Sequence, residues 1–140
     1  IRWTFKSQDH LYASPAEQHD GTIIQASTDG HVYALDGATG QLHWSFAAGE
    51  PIRSSPAIDN EGRIYFGSSD GALYVLNADG SLRFRMQLIQ ADRNDLNGSP
   101  ALSETAVVIA GESGEIWSIP YDYCLREDGR TASMRSRPKA

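Results

Sequence analysis

Ser55-Pro56-Ala57 opens a unit that occurs three times in this chain, because the same tripeptide stands at Ser14-Pro15-Ala16 and Ser99-Pro100-Ala101. The copies are 41 and 44 residues apart, and a glycine follows each at a similar distance, at positions 30, 71 and 114. The same types of residue recur around these glycines: an aliphatic residue seven positions before (Ile23, Ile64, Val107) and an aromatic residue three positions after (Tyr33, Tyr74, Trp117). A period in the low forties built from short strands is typical of β-propeller blades. The sequence therefore predicts an all-β array of about three blades.

The second unit shows how a blade is built from four strands. Short β-branched and aromatic runs cover 55–58, 63–68, 72–76 and 81–87, and turns rich in Asp, Asn and Gly separate them. Such runs form an antiparallel meander sheet. We predict four-stranded blades starting near residues 14, 55 and 99 within a domain spanning 1–125, and a basic tail or linker at 126–140.

Charge and composition exclude several classes of function. The net charge of the whole chain is −6, and five of its 12 Lys/Arg lie in the last fifteen residues, so the predicted domain is strongly acidic. Nucleic acid needs a clustered basic surface, so we expect no such partner. No apolar run approaches the length that spans a membrane, so we expect no membrane insertion. The single cysteine excludes an intramolecular disulfide and a cysteine-rich metal site.

The connection between the third and fourth strands of the first unit carries a more specific pattern. Residues 34–44 read A-x-D-x-x-T-G-x-x-x-W, and the second unit repeats this pattern one residue shorter, with Phe in place of Trp. We expect the aspartate to cap the turn and the aromatic ring to pack between blades. An upstream Trp-Thr-Phe aligns with Trp-Ser-Phe at 44–46, so it is predicted to be the outer strand of a preceding blade. The predicted blade-docking residues are Trp3, Ala34, Asp36, Gly40, Trp44, Asn77, Gly80 and Phe84.

This pattern resembles the tryptophan-docking motif of propellers related to pyrroloquinoline quinone (PQQ) enzymes. The resemblance covers about residues 1–119 and implies one of two functions. Some members are dehydrogenases with PQQ and Ca²⁺ on the propeller axis, and others resemble the lipoprotein subunit of the outer-membrane β-barrel assembly machinery and bind proteins. The enzymes often carry a pair of adjacent cysteines, which this sequence lacks, and no residue here takes over a catalytic role. We expect a non-catalytic protein-binding scaffold with no cofactor, in the bacterial periplasm or at the cell surface; a fragment of a quinoprotein dehydrogenase is the alternative.

One blade-joining loop is longer than the others. Trp3 to Pro15 and Trp44 to Pro56 each span 12 residues, whereas Phe84 to Pro100 spans 16. Loops on a rigid scaffold commonly carry recognition, so the 88–98 insertion is the predicted partner-binding loop. A merely tolerated surface insertion is the competing interpretation. The candidate residues of the predicted partner-binding loop are Asp92, Arg93, Asn94, Asp95 and Asn97. They resemble a calcium-binding loop only in part, because Leu96 occupies a ligand position and Asn97 occupies the position of the required glycine.

Three units are fewer than the four to eight blades that usually close a ring. One explanation is that the chain is a piece of a larger propeller. Another is a head-to-tail homodimer with six blades, in which residues 3–6 of one chain supply the outer strand that the third unit of the other lacks.

Overall fold

The computed structural model describes residues 1–90 and 95–125, and they form three small antiparallel sheets that follow one another along the chain. The first sheet contains β1 (Ala16–Glu17), β2 (Ile23–Ala26), β3 (His31–Leu35) and β4 (Leu42–Ala47). The second contains β5 (Ala57–Ile58), β6 (Ile64–Gly67), β7 (Ala72–Leu76) and β8 (Leu82–Gln87). The third contains β9 (Ala101–Leu102), β10 (Ala106–Ala110) and β11 (Ile116–Pro120), and α1 (Tyr121–Cys124) follows it.

Each sheet is a meander in which consecutive strands are neighbours. Glycines with positive φ close the turns between the second and third strands, at Gly30 (φ 87°), Gly71 (φ 83°) and Gly114 (φ 84°). Only glycine adopts this conformation without steric cost, which explains why it recurs at the repeat period. The predicted all-β propeller-blade fold is confirmed, and we refer to the three sheets as blades 1, 2 and 3.

The core consists of two layers of side chains, one between each pair of neighbouring blades. Residues of β2 and β3 pack against β6 and β7, with Ile24, Phe66 and Tyr74 at the centre of the layer. Tyr65 and Leu73, which point to the other side of blade 2, pack against Val107 of blade 3. Because side chains alternate along a strand, the central strands of blade 2 contribute to both layers and are buried throughout.

The structure departs from the sequence-based expectations at both ends. Residues 3–6 form no strand, because among the described residues they have no strand beside them with which to pair. In blade 3, where the repeat predicts a turn and a fourth strand, the chain enters α1 after Pro120, whose φ of −60° suits the start of a helix. The predicted tail at 126–140 lies outside the described residues.

Candidate functional site: blade-docking turns and inter-blade loops

The turn between β3 and β4 is held by one carboxylate. Asp36 accepts hydrogen bonds at Oδ1 from the backbone N–H groups of Ala38 (2.8 Å) and Thr39 (3.0 Å). These backbone hydrogen bonds lower the pKa of Asp36. The N–H of Gly40 donates to the Asp36 carbonyl at 2.8 Å, and Gly40 has a φ of 75°. The side chain and the glycine together fix a tight turn whose surface at Gly40 is flat.

An indole ring lies directly on that flat surface. A methyl group placed on Gly40 would lie 2.6 Å from Cδ2 of Trp3, and the Trp3 indole N–H donates to the Gly37 carbonyl at 3.0 Å. The next blade repeats the stacking contact, because a methyl group on Gly80 would lie 2.5 Å from Cδ2 of Trp44. The aromatic residue of one unit therefore packs on the turn of the following blade, where any Cβ would displace it.

The remaining predicted docking residues follow the pattern in part. Ala34 is fully buried in the layer between blades 1 and 2. Asn77 stands where blade 1 has Asp36, and its side-chain amide donates to Ser81 Oγ at 2.9 Å. Phe84 aligns with Trp44, and its ring contacts that of Tyr123 edge-on, with centroids 5.9 Å apart. Since α1 replaces the turn in blade 3, an aromatic pair takes the place of the indole–glycine contact.

The tyrosines at the repeated aromatic position belong to a polar cluster at the edge of the core. The Tyr74 hydroxyl donates to Asp70 Oδ2 at 2.6 Å, and Arg85 Nε donates to the Tyr74 oxygen at 3.1 Å. Burial, together with the hydrogen bond to Asp70, raises the pKa of Tyr74 to about 12. The Tyr33 hydroxyl likewise donates to Asp29 Oδ2. Burial, together with that hydrogen bond, raises the pKa of Tyr33 to about 12. Each hydroxyl bonds the aspartate of a repeated turn, so we assign the two tyrosines a structural role.

The loops that join successive blades all lie at one end of the sheets. Each packs on a turn between a second and a third strand: Thr28 N–H donates to His10 O (3.1 Å), and Leu96 N–H donates to Ser68 O (3.1 Å). We refer to the surface formed by residues 8–14, 48–55 and 88–99 as the loop face, of which 91–94 are not described. The scaffold thus presents three loops side by side.

The predicted partner-binding loop is only partly described. Asp92, Arg93 and Asn94 lie outside the described residues. Asp95 and Asn97 are half-buried and close to the β10–β11 turn, because the Asp95 carbonyl accepts from Glu112 N–H (3.2 Å) and Asn97 Nδ2 donates to Glu112 Oε1 (2.9 Å). Between them Leu96 is fully buried in the layer between blades 2 and 3. This loop therefore anchors itself in the core at Leu96.

Sequence reasoning missed a second group of residues on the loop face. Leu11 and Tyr12 are 47% and 67% exposed, and the Arg53 guanidinium lies 6.0 Å from the centroid of the Tyr12 ring. The His10 and Tyr12 rings are stacked with centroids 6.1 Å apart. We call Leu11, Tyr12 and Arg53 the Tyr12 patch.

Leu11 stands in a repeated aliphatic column, because Leu11, Ile52 and Leu96 each lie four residues before the proline of a Ser-Pro-Ala, and Ile52 and Leu96 are fully buried. The next column contains Tyr12, Arg53 and Asn97, which share no residue type, so the repeat offered no signal for the contact between Tyr12 and Arg53.

Catalytic and metal-binding constellations are not evident in the part of the chain that the structure describes. No group of three or more His, Cys, Asp or Glu side chains could hold a metal ion there. The same residues contain no helix that is long and apolar enough to cross a membrane.

The fold and the repeated docking contacts define a β-propeller built from PQQ-like repeats. The chain belongs to the family whose model is described as outer membrane protein assembly factor BamB, which matches residues 1–130. Its structure is similar to that of BamB from Moraxella catarrhalis, with a TM-score of 0.74 and 20% identity over 88% of this chain. That alignment covers 37% of the BamB chain, so the present sequence spans well under half of that relative.

Two quinohemoprotein alcohol dehydrogenases are also similar in structure. ADHIIG from Pseudomonas putida HK5 aligns over 83% of this chain and 20% of its own, with a TM-score of 0.71 and 20% identity. The enzyme from Comamonas testosteroni aligns over 89% of this chain and 20% of its own, with a TM-score of 0.68 and 20% identity. No curated protein sequence matches this chain. At this level of identity the solved structures establish the fold alone.

Proposed function

We propose that this chain is a non-catalytic propeller scaffold that binds a protein partner through its loop face, as part of a larger protein of the bacterial envelope. The observation that carries the proposal is the exposed Tyr12 ring, with the Arg53 guanidinium 6.0 Å from its centroid, at the end where the inter-blade loops lie side by side. Tyrosine and arginine are enriched among residues that dominate protein–protein binding energy. The BamB family model and the Moraxella catarrhalis BamB structure support an assembly role in the periplasm or at the cell surface.

Two parts of the loop face would contact the partner. The Tyr12 patch would supply the apolar and aromatic contacts, and the 88–98 loop with Asp92, Arg93, Asn94, Asp95 and Asn97 would supply polar ones. Because Leu96 anchors the second loop in the core, its neighbours Asp95 and Asn97 would be held in place before a partner arrives. Such preorganisation lowers the entropic cost of binding.

The experiment is affinity capture from a bacterial envelope fraction with two matched variants. Leu11→Ala/Tyr12→Ala/Arg53→Ala removes the Tyr12 patch, whereas Leu42→Ala/Leu82→Ala removes two side chains of similar exposure from the outermost strands β4 and β8. We expect the first variant to lose a partner that the wild type and the second variant both retain. Equal capture by both variants would refute the loop face as the binding surface.

The dehydrogenase alternative is tested by titration with PQQ in the presence of Ca²⁺. The similarity to two quinohemoprotein enzymes motivates this measurement. We expect no tight binding, since the sequence lacks an adjacent cysteine pair and no group of three or more described His, Cys, Asp or Glu side chains could hold the Ca²⁺. A tight complex of this chain with PQQ would overturn the non-catalytic proposal.

As the alternative to a piece of a larger propeller, we propose that two copies of the 140-residue chain associate head to tail, giving six blades. The side chains of blade 3 that point away from blade 2 include Ile116, which is 73% exposed, whereas the equivalent residues Val32 and Leu73 are fully buried against the next blade. Light scattering should give a mass near twice 15.3 kDa. Deleting residues 1–6 should reduce it to one copy, and a dimer that survives the deletion would contradict the proposal.

A further inference from the structure

The outer strand of blade 1 has an edge along which another strand could pair. β4 is the last strand of a four-stranded sheet, and no strand within 1–90 or 95–125 pairs with its outer edge. Other parts of the chain contact the two faces of this sheet rather than its edge: the Phe5 ring packs on Tyr33, and Trp44 packs on Gly80 of blade 2. The edge therefore belongs to a blade whose four strands are all described.

This edge lacks the residues that usually prevent strands from pairing edge to edge. Charged side chains and prolines protect many edge strands in natural proteins. From Leu42 to Ala47, β4 contains no Asp, Glu, Lys, Arg or Pro. The equivalent strand β8 carries Arg83 and Arg85 where β4 has His43 and Ser45. The edge of blade 2 is thus protected by charge, and that of blade 1 is not.

The hydrogen bonds between β4 and the rest of its sheet show which backbone groups face outward. The Ala48 N–H donates to the Gly30 carbonyl at 2.8 Å, so the backbone of Ala48 faces into the sheet. Inward and outward residues alternate along an antiparallel strand, so the N–H and C=O groups of Ser45 and Ala47 face outward. A β-bulge interrupts the alternation before Trp44. Ser45 and Ala47 are therefore the outward-facing residues of the regular part of the strand.

We propose that the outer edges of β4 from two copies of this chain pair as antiparallel strands, with Ser45 of each copy opposite Ala47 of the other. Residues that face each other in this way exchange both of their N–H···O bonds. Among the antiparallel registers, this one uses all the outward-facing backbone groups of Ser45 and Ala47. A two-fold axis relates the copies, so the contact is complete with two chains.

The side chains of β4 suit pairing with themselves. In this register Phe46 lies opposite Phe46 of the second copy, and aromatic pairs across antiparallel strands are stabilising. On the other face the exposed side chains of Ser45 and Ala47 are both small, so the two backbones can approach closely. The same register on β8 would bring the Arg85 side chains of two copies to diagonal positions on one face, where like charges repel. These residues favour a second copy of β4 as the partner strand.

The inference goes beyond the proposed function and does not depend on it. The contact lies along the side of blade 1, whereas the loop face lies at one end of the sheets, and it uses none of residues 1–6. Strand pairing of this length forms a small interface, and small interfaces are weak. Light scattering should therefore show a mass that rises with protein concentration from 15.3 kDa toward twice that value.

Disulfide trapping tests the register directly. In a Cys124→Ala background, Ser45→Cys is mixed with isotope-labelled Ala47→Cys, so that a mixed covalent dimer has its own mass. Residues that exchange hydrogen bonds have Cα atoms about 5.5 Å apart, which lies within disulfide range. Gln41→Cys mixed with Ala47→Cys is the matched control, because Gln41 is also exposed but lies just outside β4. On mild oxidation we expect at least tenfold less mixed dimer from the control.

Charge substitution gives a second readout that leaves the backbone intact. Ser45→Lys/Ala47→Lys places like charges opposite each other in both pairs and should weaken association about tenfold, as should Ser45→Glu/Ala47→Glu. A mixture of the two variants should associate again, because each lysine then meets a glutamate. Both positions are exposed, so urea midpoints near that of the wild type are expected for each variant and show that the fold is retained.

The possible outcomes separate this inference from the other proposals. A mass independent of concentration, with no more mixed dimer than in the control, would overturn it. Ser45→Cys chains that trap with each other as readily as with Ala47→Cys would refute the register, because two copies of residue 45 are then diagonal and beyond disulfide reach. A dimer that the lysine variant retains and the deletion of residues 1–6 dissolves would support the head-to-tail contact and overturn this one. The affinity-capture test reads out the loop face, so either proposal can fail alone.

Discussion

Substituting alanine for Gly80 should be much more costly than the same change at another glycine of similar conformation. Gly80 has a φ of 90°, so alanine there carries backbone strain of about 1 kcal/mol. Its methyl group would also lie 2.5 Å from Cδ2 of Trp44, which must leave its docking position. Loss of a buried tryptophan costs about 3–5 kcal/mol, and Trp44 is half-buried, so we assign about 2 kcal/mol to its displacement. The total is about 3 kcal/mol of unfolding free energy, measured by urea denaturation.

Gly49 supplies the matched control. Its φ is 91°, and a methyl group there would meet nothing within 4 Å, so Gly49→Ala should cost only the strain, about 1 kcal/mol. In a Trp44→Ala background the collision is gone, and Gly80→Ala should then cost no more than Gly49→Ala does. If Gly80→Ala and Gly49→Ala destabilise the wild-type protein equally, the indole does not depend on the bare glycine surface and the docking argument fails.

Three further perturbations test other contacts. Tyr74→Phe leaves Asp70 and Arg85 without the hydroxyl and should cost about 1 kcal/mol at neutral pH. The folded-state pKa of Tyr74 is raised to about 12, so the contribution of its hydroxyl to stability should be complete below pH 10 and should disappear as the pH rises through about 12. Urea midpoints of the wild type and Tyr74→Phe at alkaline pH measure this contribution. An unchanged contribution above pH 12 would contradict the assignment. The folded-state pKa of Asp36 is lowered, so its carboxylate stabilises the fold above its unfolded pKa, and that stability is lost as the pH falls through its folded-state pKa. Asp36→Asn should therefore make the protein less sensitive to acid. Acid-unfolding midpoints that coincide with those of the wild type would count against this. Leu96→Ala should cost about 2–4 kcal/mol by urea denaturation, far more than Leu82→Ala at a 40% exposed site, if the long loop is anchored in the core.

The period of the sequence was sufficient to predict the sheets because each strand of a blade has counterparts in other blades. The recurring turn glycines and apolar columns located β7 to the residue and the other strands of blade 2 to within two residues. Leu96, which enters the core, lies four residues before its Ser-Pro-Ala proline, as Leu11 and Ile52 do, so the repeat did contain a signal for it. The 88–98 loop is four residues longer than its counterparts, and it was compared by its length and polar residues rather than by this alignment. The burial of Leu96 depends on Gly67, where a methyl group would lie 2.3 Å from the Leu96 carbonyl oxygen. The contacts of Leu96 with Gly67 and of Arg53 with Tyr12 join residues far apart in the sequence, so the order of the strands does not predict them.

The two blade interfaces are stabilised by different means, and this has a consequence for where the array can change. Between blades 1 and 2 the indole–glycine contact is strict, since Gly80 cannot accept a side chain without displacing Trp44. Between blades 2 and 3 the chain uses Leu96 and α1 instead: Phe84 meets Tyr123, and Arg83 Nη2 donates to the Leu125 carbonyl at 2.8 Å. The second interface therefore draws on a loop and a helix that can vary in length, whereas the first depends on two residues in fixed positions. We therefore expect insertions at the interface between blades 2 and 3, where the 88–98 loop lies, to destabilise the fold less than insertions in the docking turn of the first interface.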